Sequence, residues 1–158
     1  MKIRRRRTLT PEFGHWLAGF IDGEGCFSIA KHKNMCFTPR FSISLRDDDA
    51  VILHEIRERI NLGIVTKKRR RHLNANAHDQ IEWVIRTKSD CLCFVKILDQ
   101  YPLRAKKKKD YLIWRKAILE WATVRNGEHR RIKHEWIRHD WSKMEQFKRQ
   151  LEEGRRYR

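Results

Sequence analysis

Four shortages narrow the field before any motif is read. No stretch reaches the roughly 18 uninterrupted apolar residues that a membrane helix needs. The opening residues, MKIRRRR, are basic but no apolar run follows them, so a secretory signal is not expected. The chain is therefore expected to be intracellular, in a prokaryote or an organelle, with no membrane partner. None of the four cysteines stands at zinc-ligand spacing. Cys26 and Cys36 are isolated, Cys91 and Cys93 form CxC inside an apolar helical pattern, and all four read as reduced thiols. Acid is also short, with 20 Asp and Glu against 37 Lys and Arg, a net +17 with histidine neutral. Such a charge repels itself in a compact chain and calls for a polyanion partner. Ribosomal and histone-like proteins share that balance, so charge alone says nucleic acid and nothing finer.

What is present supports a folded domain. Of 158 residues 40% are hydrophobic, and six Trp with seven Phe supply large surfaces for a core despite 36% charge. The length suits one domain, expected over 10–158 behind a basic arm, 1–9, with no low-complexity linker. Within it fall a first helix over 10–25, a sheet with helices over 26–124, and a C-terminal helical extension over 125–158.

Thr10-Pro11-Glu12 is a helix start, with Thr10 as N-cap and Pro11 at the first helical position. That helix should run to about Gly23, where Gly23 and Gly25 flank Glu24. CFSIAKH and RFSISL alternate apolar and polar residues and read as strands with one wet face. Asp47, Asp48 and Asp49 open a helix carrying Ile52, Ile56 and Ile60, which Gly63 ends. IVTKKRRR and QIEWVIR follow as strands. Ser89 is expected to cap a helix with Cys91, Phe94, Val95 and Leu98 on its buried edge. Beyond Pro102 a long helix carries Ile113, Ala117, Ile118 and Trp121, and a last one aligns Ile137, Trp141, Met144, Phe147 and Leu151. The order predicts an α+β fold with an antiparallel sheet.

The most specific signal is LAGFIDGEG, Leu17 to Gly25. Gly19 and Gly23 lie four apart on one helical face, beside Ala18. Glycine inside a helix costs about 0.8–1 kcal/mol relative to alanine, so two on one face suggest close approach by another backbone. Asp22 and Glu24 sit where the helix dipole is already negative, a poor place for acid unless a cation neutralises it. A solvated turn with local carboxylate caps is the plainer alternative.

This segment resembles the LAGLIDADG motif of homing endonucleases: six of nine positions are identical, and Phe20, Gly23 and Glu24 keep apolar, small and acidic character. The likeness covers most of the chain and implies the αββαββα homing-endonuclease fold, with extra helices at the C-terminus. It implies that Glu24 is the metal-binding catalytic carboxylate, that the Gly23 carbonyl also meets a metal, and that Leu17, Ala18, Gly19, Asp22 and Gly23 form a helix–helix interface. Asp22 looks more like a structural cap than a catalyst. One motif supplies one acid, so the resemblance implies a homodimer in which two Glu24 side chains converge. The ion implied is Mg²⁺, with Mn²⁺ or Ca²⁺ able to replace it for binding, and no small-molecule cofactor is expected; hard oxygen ligands favour Mg²⁺ over zinc. In PLRAKKKKDY the family places a basic residue near the scissile phosphate. Lys106 is the best match, with Lys107 next to it. A glutamine often found near the end of the second strand falls on Leu45, which leaves Ser44 or Arg46 as weak substitutes for positioning water.

Alternation sorts the strand residues. With Phe27, Ile29, Phe41, Ile43, Trp83 and Ile85 facing the helices, the opposite face presents Ser28, Ala30, His32, Asn34, Arg40, Ser42, Ser44 and Arg46. Thr66, Lys68, Arg70, Gln80, Glu82 and Arg86 join them from the later strands. A sheet paved in this way can lie in the major groove of double-stranded DNA and read base edges, although polar residues on an open face can also simply meet water. The remaining residues of the run Lys67–Arg71 would meet phosphates. His129, His134 and His139 do not share a helical face and read as surface histidines. Trp114, Trp121, Trp136 and Trp141 read as packing residues. The expected function is thus a sequence-specific, intron-encoded DNA endonuclease leaving 3′ overhangs on a long, near-palindromic site. An RNA maturase and a non-catalytic DNA-binding regulator on the same scaffold are the rivals.

Overall fold

The computed structural model describes residues 9–33, 36–69, 78–124, 131–132, 135–136 and 140–156. Helix α1 spans Pro11–Glu24, one residue past the expected stop, because the chain straightens only at Gly25. Thr10 caps its start by accepting from the Phe13 amide at 3.4 Å. Strands β1 (Cys26–Lys31) and β2 (Phe37–Arg46) follow as an antiparallel pair. β2 begins three residues before the RFSISL run because the alternation continues back through Phe37 and Pro39. Pro39 is tolerated because β2 pairs with β4 only from Phe41 onward, where Phe41 lies opposite Ile85.

The three aspartates 47–49 form a single 3₁₀ turn ahead of α2 (Ala50–Ile60). Asn61, not Gly63, ends α2: it takes the left-handed conformation at φ 53°, which asparagine tolerates. Gly63 comes next at φ 70°, pressed against the Val84 carbonyl where no side chain fits. β3 (Ile64–Lys68) and β4 (Gln80–Ile85) complete a sheet of order β1-β2-β4-β3, antiparallel throughout. α3 spans Lys88–Gln100, and its N-cap is Thr87 rather than Ser89: the Thr87 hydroxyl accepts from the Asp90 amide at 3.2 Å. Its buried edge is Cys91, Phe94, Val95 and Leu98, as the pattern requires. α4 (Lys107–Thr123) and α5 (Ser142–Arg156) bracket a two-residue pair, β5 (Arg131–Ile132) with β6 (Glu135–Trp136), which the sequence pattern does not reveal. Asp140 begins α5 by accepting from the Ser142 amide at 2.9 Å. Ile137, the three C-terminal histidines and the Trp136 side chain lie outside the described residues.

The sheet's inner face carries the core. Phe27, Phe41, Ile43, Trp83 and Ile85 are fully buried against α1, α3 and α4, and Ile29 nearly so. The Phe41 ring is the hub, with centroids 5.0 Å from Phe27, 5.5 Å from Trp83 and 4.6 Å from Phe94 in tilted or edge geometry. A second, smaller cluster of Ile29, Phe37, Ala117, Met144 and Leu151 joins α4 and α5 to β1. Lys31 pairs with Glu145 at 3.0 Å, and Arg155 donates to the Phe27 carbonyl, so α5 runs antiparallel to β1 along its free edge. Trp114 is core, and Trp121 and Trp141 pack at its margin.

Candidate active site and nucleic-acid interface

The two faces of α1 differ sharply. Gly14, Leu17, Ala18 and Ile21 are buried. Leu17 and Ala18, expected at a helix–helix interface, are therefore taken by the chain's own core, because they share the face that meets the sheet. Glu12, Trp16, Gly19 and Gly23 line the opposite, exposed face. Each glycine can be asked what a side chain would meet. At Gly14 a Cβ would lie 2.5 Å from the Tyr101 ring, and at Gly25 it would lie 2.6 Å from the Ile21 carbonyl and 3.1 Å from Phe41. At Gly19 and Gly23 it would meet nothing within 4 Å among the described residues. The chain's own packing thus explains the first two glycines and leaves Gly19 and Gly23 unexplained. Trp16, 42% exposed, stacks between Phe13 and Phe20 with centroids 5.4 and 5.3 Å away, extending this open face with apolar surface. The motif reading missed Trp16; helical spacing places it one turn before Gly19 and Phe20 and is the signal that could have found it.

At the C-terminal end of α1 the motif meets the loop before α4. Asp22 accepts from the backbone amides of Arg104 at 2.8 Å and Ala105 at 3.1 Å, which makes it a structural clasp, as its place in the motif suggested. Leu103 anchors the same loop in the core. Lys107 then reaches back to donate to the Gly25 carbonyl, while Lys106 is the exposed N-cap residue of α4. The geometry brings Lys107 to the motif more directly than Lys106. Glu24 is exposed on the last turn of α1, where the final carbonyls, that of Gly23 included, have no helical amide ahead of them. An exposed carboxylate beside an unclaimed carbonyl is a donor set for a hard cation. It is an incomplete one: among the described residues no three His, Cys, Asp or Glu side chains gather in one place. Burial pushes the Cys91 thiol up to about 12 and raises that of Cys36.

The outer face of the sheet follows from register. Opposed residues share a face, so Ser28 with Arg40, Ser44 with Glu82 and Thr66, and Arg46 with Gln80 and Lys68 all lie outward. Ala30 joins them, as do Cys26, Thr38, Ile64 and Val84, which the strand reading omitted. Thr38 was missed because β2 starts earlier than its clear alternation; it meets His32 at 3.0 Å. Arg86 lies just beyond β4, and Asn34 and Arg70 fall outside the described residues. Lys67 shares the opposite face with Ile81 but stays exposed, and it pairs with Asp47 at 3.0 Å and Asp79 at 3.4 Å, so it is engaged within the chain rather than free for a phosphate. Leu45 packs on the core, Ser44 bonds Glu82 at 3.3 Å and Arg46 pairs with Asp48 at 3.0 Å.

A sequence profile described as LAGLIDADG endonuclease matches residues 17–118. A relative described as an uncharacterized 50.9 kDa protein in ND4 intron 1 of Podospora anserina is 32% identical over 130 residues, covering 77% of this chain and 26% of that protein. The LAGLIDADG meganuclease I-AabMI bound to uncleaved DNA is 28% identical with a TM-score of 0.60, over 69% of this chain and 36% of that one. The homing endonuclease I-TnaI is 25% identical with a TM-score of 0.62, over 92% of this chain and 98% of that one. The chain thus spans about a quarter of the length of the curated relative and nearly all of I-TnaI.

Proposed function

The chain belongs to the LAGLIDADG endonuclease family, and from that premise we propose that it is a homodimeric homing endonuclease cutting both strands of a specific DNA site. The observation that carries this reading is the open glycine face of α1. Gly19 and Gly23 weaken the helix by about 0.8–1 kcal/mol each relative to alanine, and nothing among the described residues occupies the room they leave. A second copy of α1 crossing there would use that room and bring two Glu24 carboxylates together at the two-fold axis. Like charges so placed require cations between them.

Glu24 and the Gly23 carbonyl of each chain would hold divalent ions, Mg²⁺ by donor type, completed by the partner and by phosphate oxygens. Such an ion supplies Lewis-acid activation of water and stabilisation of the leaving oxygen. The chain's own residues do the rest. Asp22 clamps the 104–105 amides and so fixes the loop leading to Lys106 and Lys107, whose ammonium groups offset charge developing on the phosphate. The outer sheet face lies along the major groove, Arg40 and Lys68 being suited to guanine edges. Two-fold symmetry makes the target near-palindromic, with short 3′ overhangs expected from cuts across the groove. The gene is expected to lie within an intron.

The test is Glu24→Gln. Cleavage of a plasmid carrying the selected site should vanish, at least a thousandfold by the scale of lost catalytic groups, while Kd for the same duplex stays within about threefold. Unchanged cutting would remove the assignment. Loss of RNA splicing in place of DNA cutting would move the chain to the maturase class.

A further inference from the structure

One acid stands on the outer face of the sheet among the described residues, and it is placed at the centre. Glu82 belongs to β4, an interior strand, and its side chain is only 6% exposed on a face whose other polar residues are Ser, Thr, Gln, Arg and Lys. Its carboxylate is fully engaged: Arg40 at 2.7 Å, Lys68 at 2.8 Å and the Ser44 hydroxyl at 3.3 Å. The register shows how far Arg40 travels. Ser44 lies opposite Glu82, and Arg40 sits four positions away along β2. To reach the carboxylate, the Arg40 side chain must lie flat over Ser42, and Ser42 is buried on what would otherwise be an open face. The Arg40 Nε is buried as well, without a hydrogen-bond partner among the described residues. Lys68 comes from the other side, on β3.

We propose that Glu82 is a positioning residue that sets target specificity: it fixes Arg40 and Lys68 so that they meet base edges rather than phosphates. The proposal rests on the sheet being the DNA-reading surface. Long cations left free on such a face turn to the nearest phosphate, which adds affinity without discrimination. A guanidinium held flat by one carboxylate keeps its remaining donors in a fixed plane, the arrangement that matches a guanine edge. Glu82 itself need not touch DNA.

The experiment compares Glu82→Gln, Arg40→Gln, Lys68→Gln and the double variant Glu82→Gln/Arg40→Gln with the unaltered protein, by selection from a randomised duplex library. Binding to random-sequence DNA and thermal midpoints are measured alongside. Glu82→Gln should flatten base preference at the pairs that Arg40→Gln or Lys68→Gln also flattens, by roughly tenfold in discrimination. It should tighten binding to random-sequence DNA, because two cations are released. The double variant should lose no more discrimination at the Arg40-dependent pairs than Arg40→Gln alone. Additive losses there, a change at pairs neither cation governs, or an unchanged profile would each overturn the proposal. If Glu82→Gln does not fold, Arg40→Lys carries the test: it keeps the charge but loses the fork, and should flatten the same pairs. Should Arg40→Gln and Lys68→Gln both leave DNA binding and site preference untouched, the fault lies instead with the sheet as DNA-reading surface.

Discussion

Gly19 and Gly25 stand six residues apart in one motif, and they answer to different neighbours. A methyl group at Gly25 would strike the Ile21 carbonyl and the Phe41 ring. Gly25→Ala should therefore destabilise the isolated chain by about 1–3 kcal/mol, the usual effect of overpacking a filled site, read as a fall in the denaturation midpoint. Gly19 meets none of the described residues, so Gly19→Ala should do the reverse and stabilise the isolated helix by up to about 1 kcal/mol. The same change should weaken self-association and cleavage, which sedimentation and a cutting assay would measure side by side. A tighter dimer from Gly19→Ala would contradict the helix contact proposed for that face. The motif string makes both glycines visible, but only packing separates the one the chain's own core needs from the one it leaves open. Leu17 and Ala18 show the converse, because a linear motif does not say which helical face the core claims.

At the level of elements, α3 and α4 are pinned together by a small polar cluster on the core's rim. The Tyr111 hydroxyl shares its one proton between Asp99 at 2.5 Å and the Val95 carbonyl at 3.1 Å, and Arg115 meets Asp99 through a pair of donors at 2.9 and 3.0 Å. The Arg115 hydrogen bond, helped by that of Tyr111, holds the Asp99 carboxyl below its ordinary range. A carboxyl depressed in the folded state contributes stability above its unfolded pKa and loses it as pH falls through the folded value. Asp99→Asn should therefore lower stability near neutral pH and flatten its decline below about pH 4, the range of an ordinary Asp; urea midpoints at several pH values would show it. An equal loss at every pH would mean that Asp99 acts through shape alone. Regular periodicity announced these helices, and their buried stripes follow it closely. Their ends were harder to read: Asn61 and Thr87 took over the stop and the cap from Gly63 and Ser89 because local backbone geometry, not residue preference alone, selects among neighbouring candidates. The β5–β6 pair left no signal, since two-residue strands carry no period.

For the molecule as a whole, a net +17 on 158 residues implies a binding curve ruled by salt. A dimer touching six or more phosphates should lose about a thousandfold in affinity between 50 and 200 mM salt, and filter binding over that range would check it. A shallow slope would mean the charge serves some other partner. The sequence foretold the strand faces well because alternation is decided by burial, and burial by the aromatic hub around Phe41. It could not foretell strand order or the Arg40–Glu82–Lys68 contact, which joins residues 40, 68 and 82 only after three strands have paired. The same sheet has a free margin on β1, and α5, beyond the 17–118 stretch matched to the family, lies along it with Arg155 on the Phe27 carbonyl. A chain cut short before Ser142 would leave a row of unclaimed amides and carbonyls next to the motif acid, open to strands from other molecules. Such a fragment would stick to itself through the wrong margin, and its clumping would compete with the helix-to-helix union proposed for the cutting form.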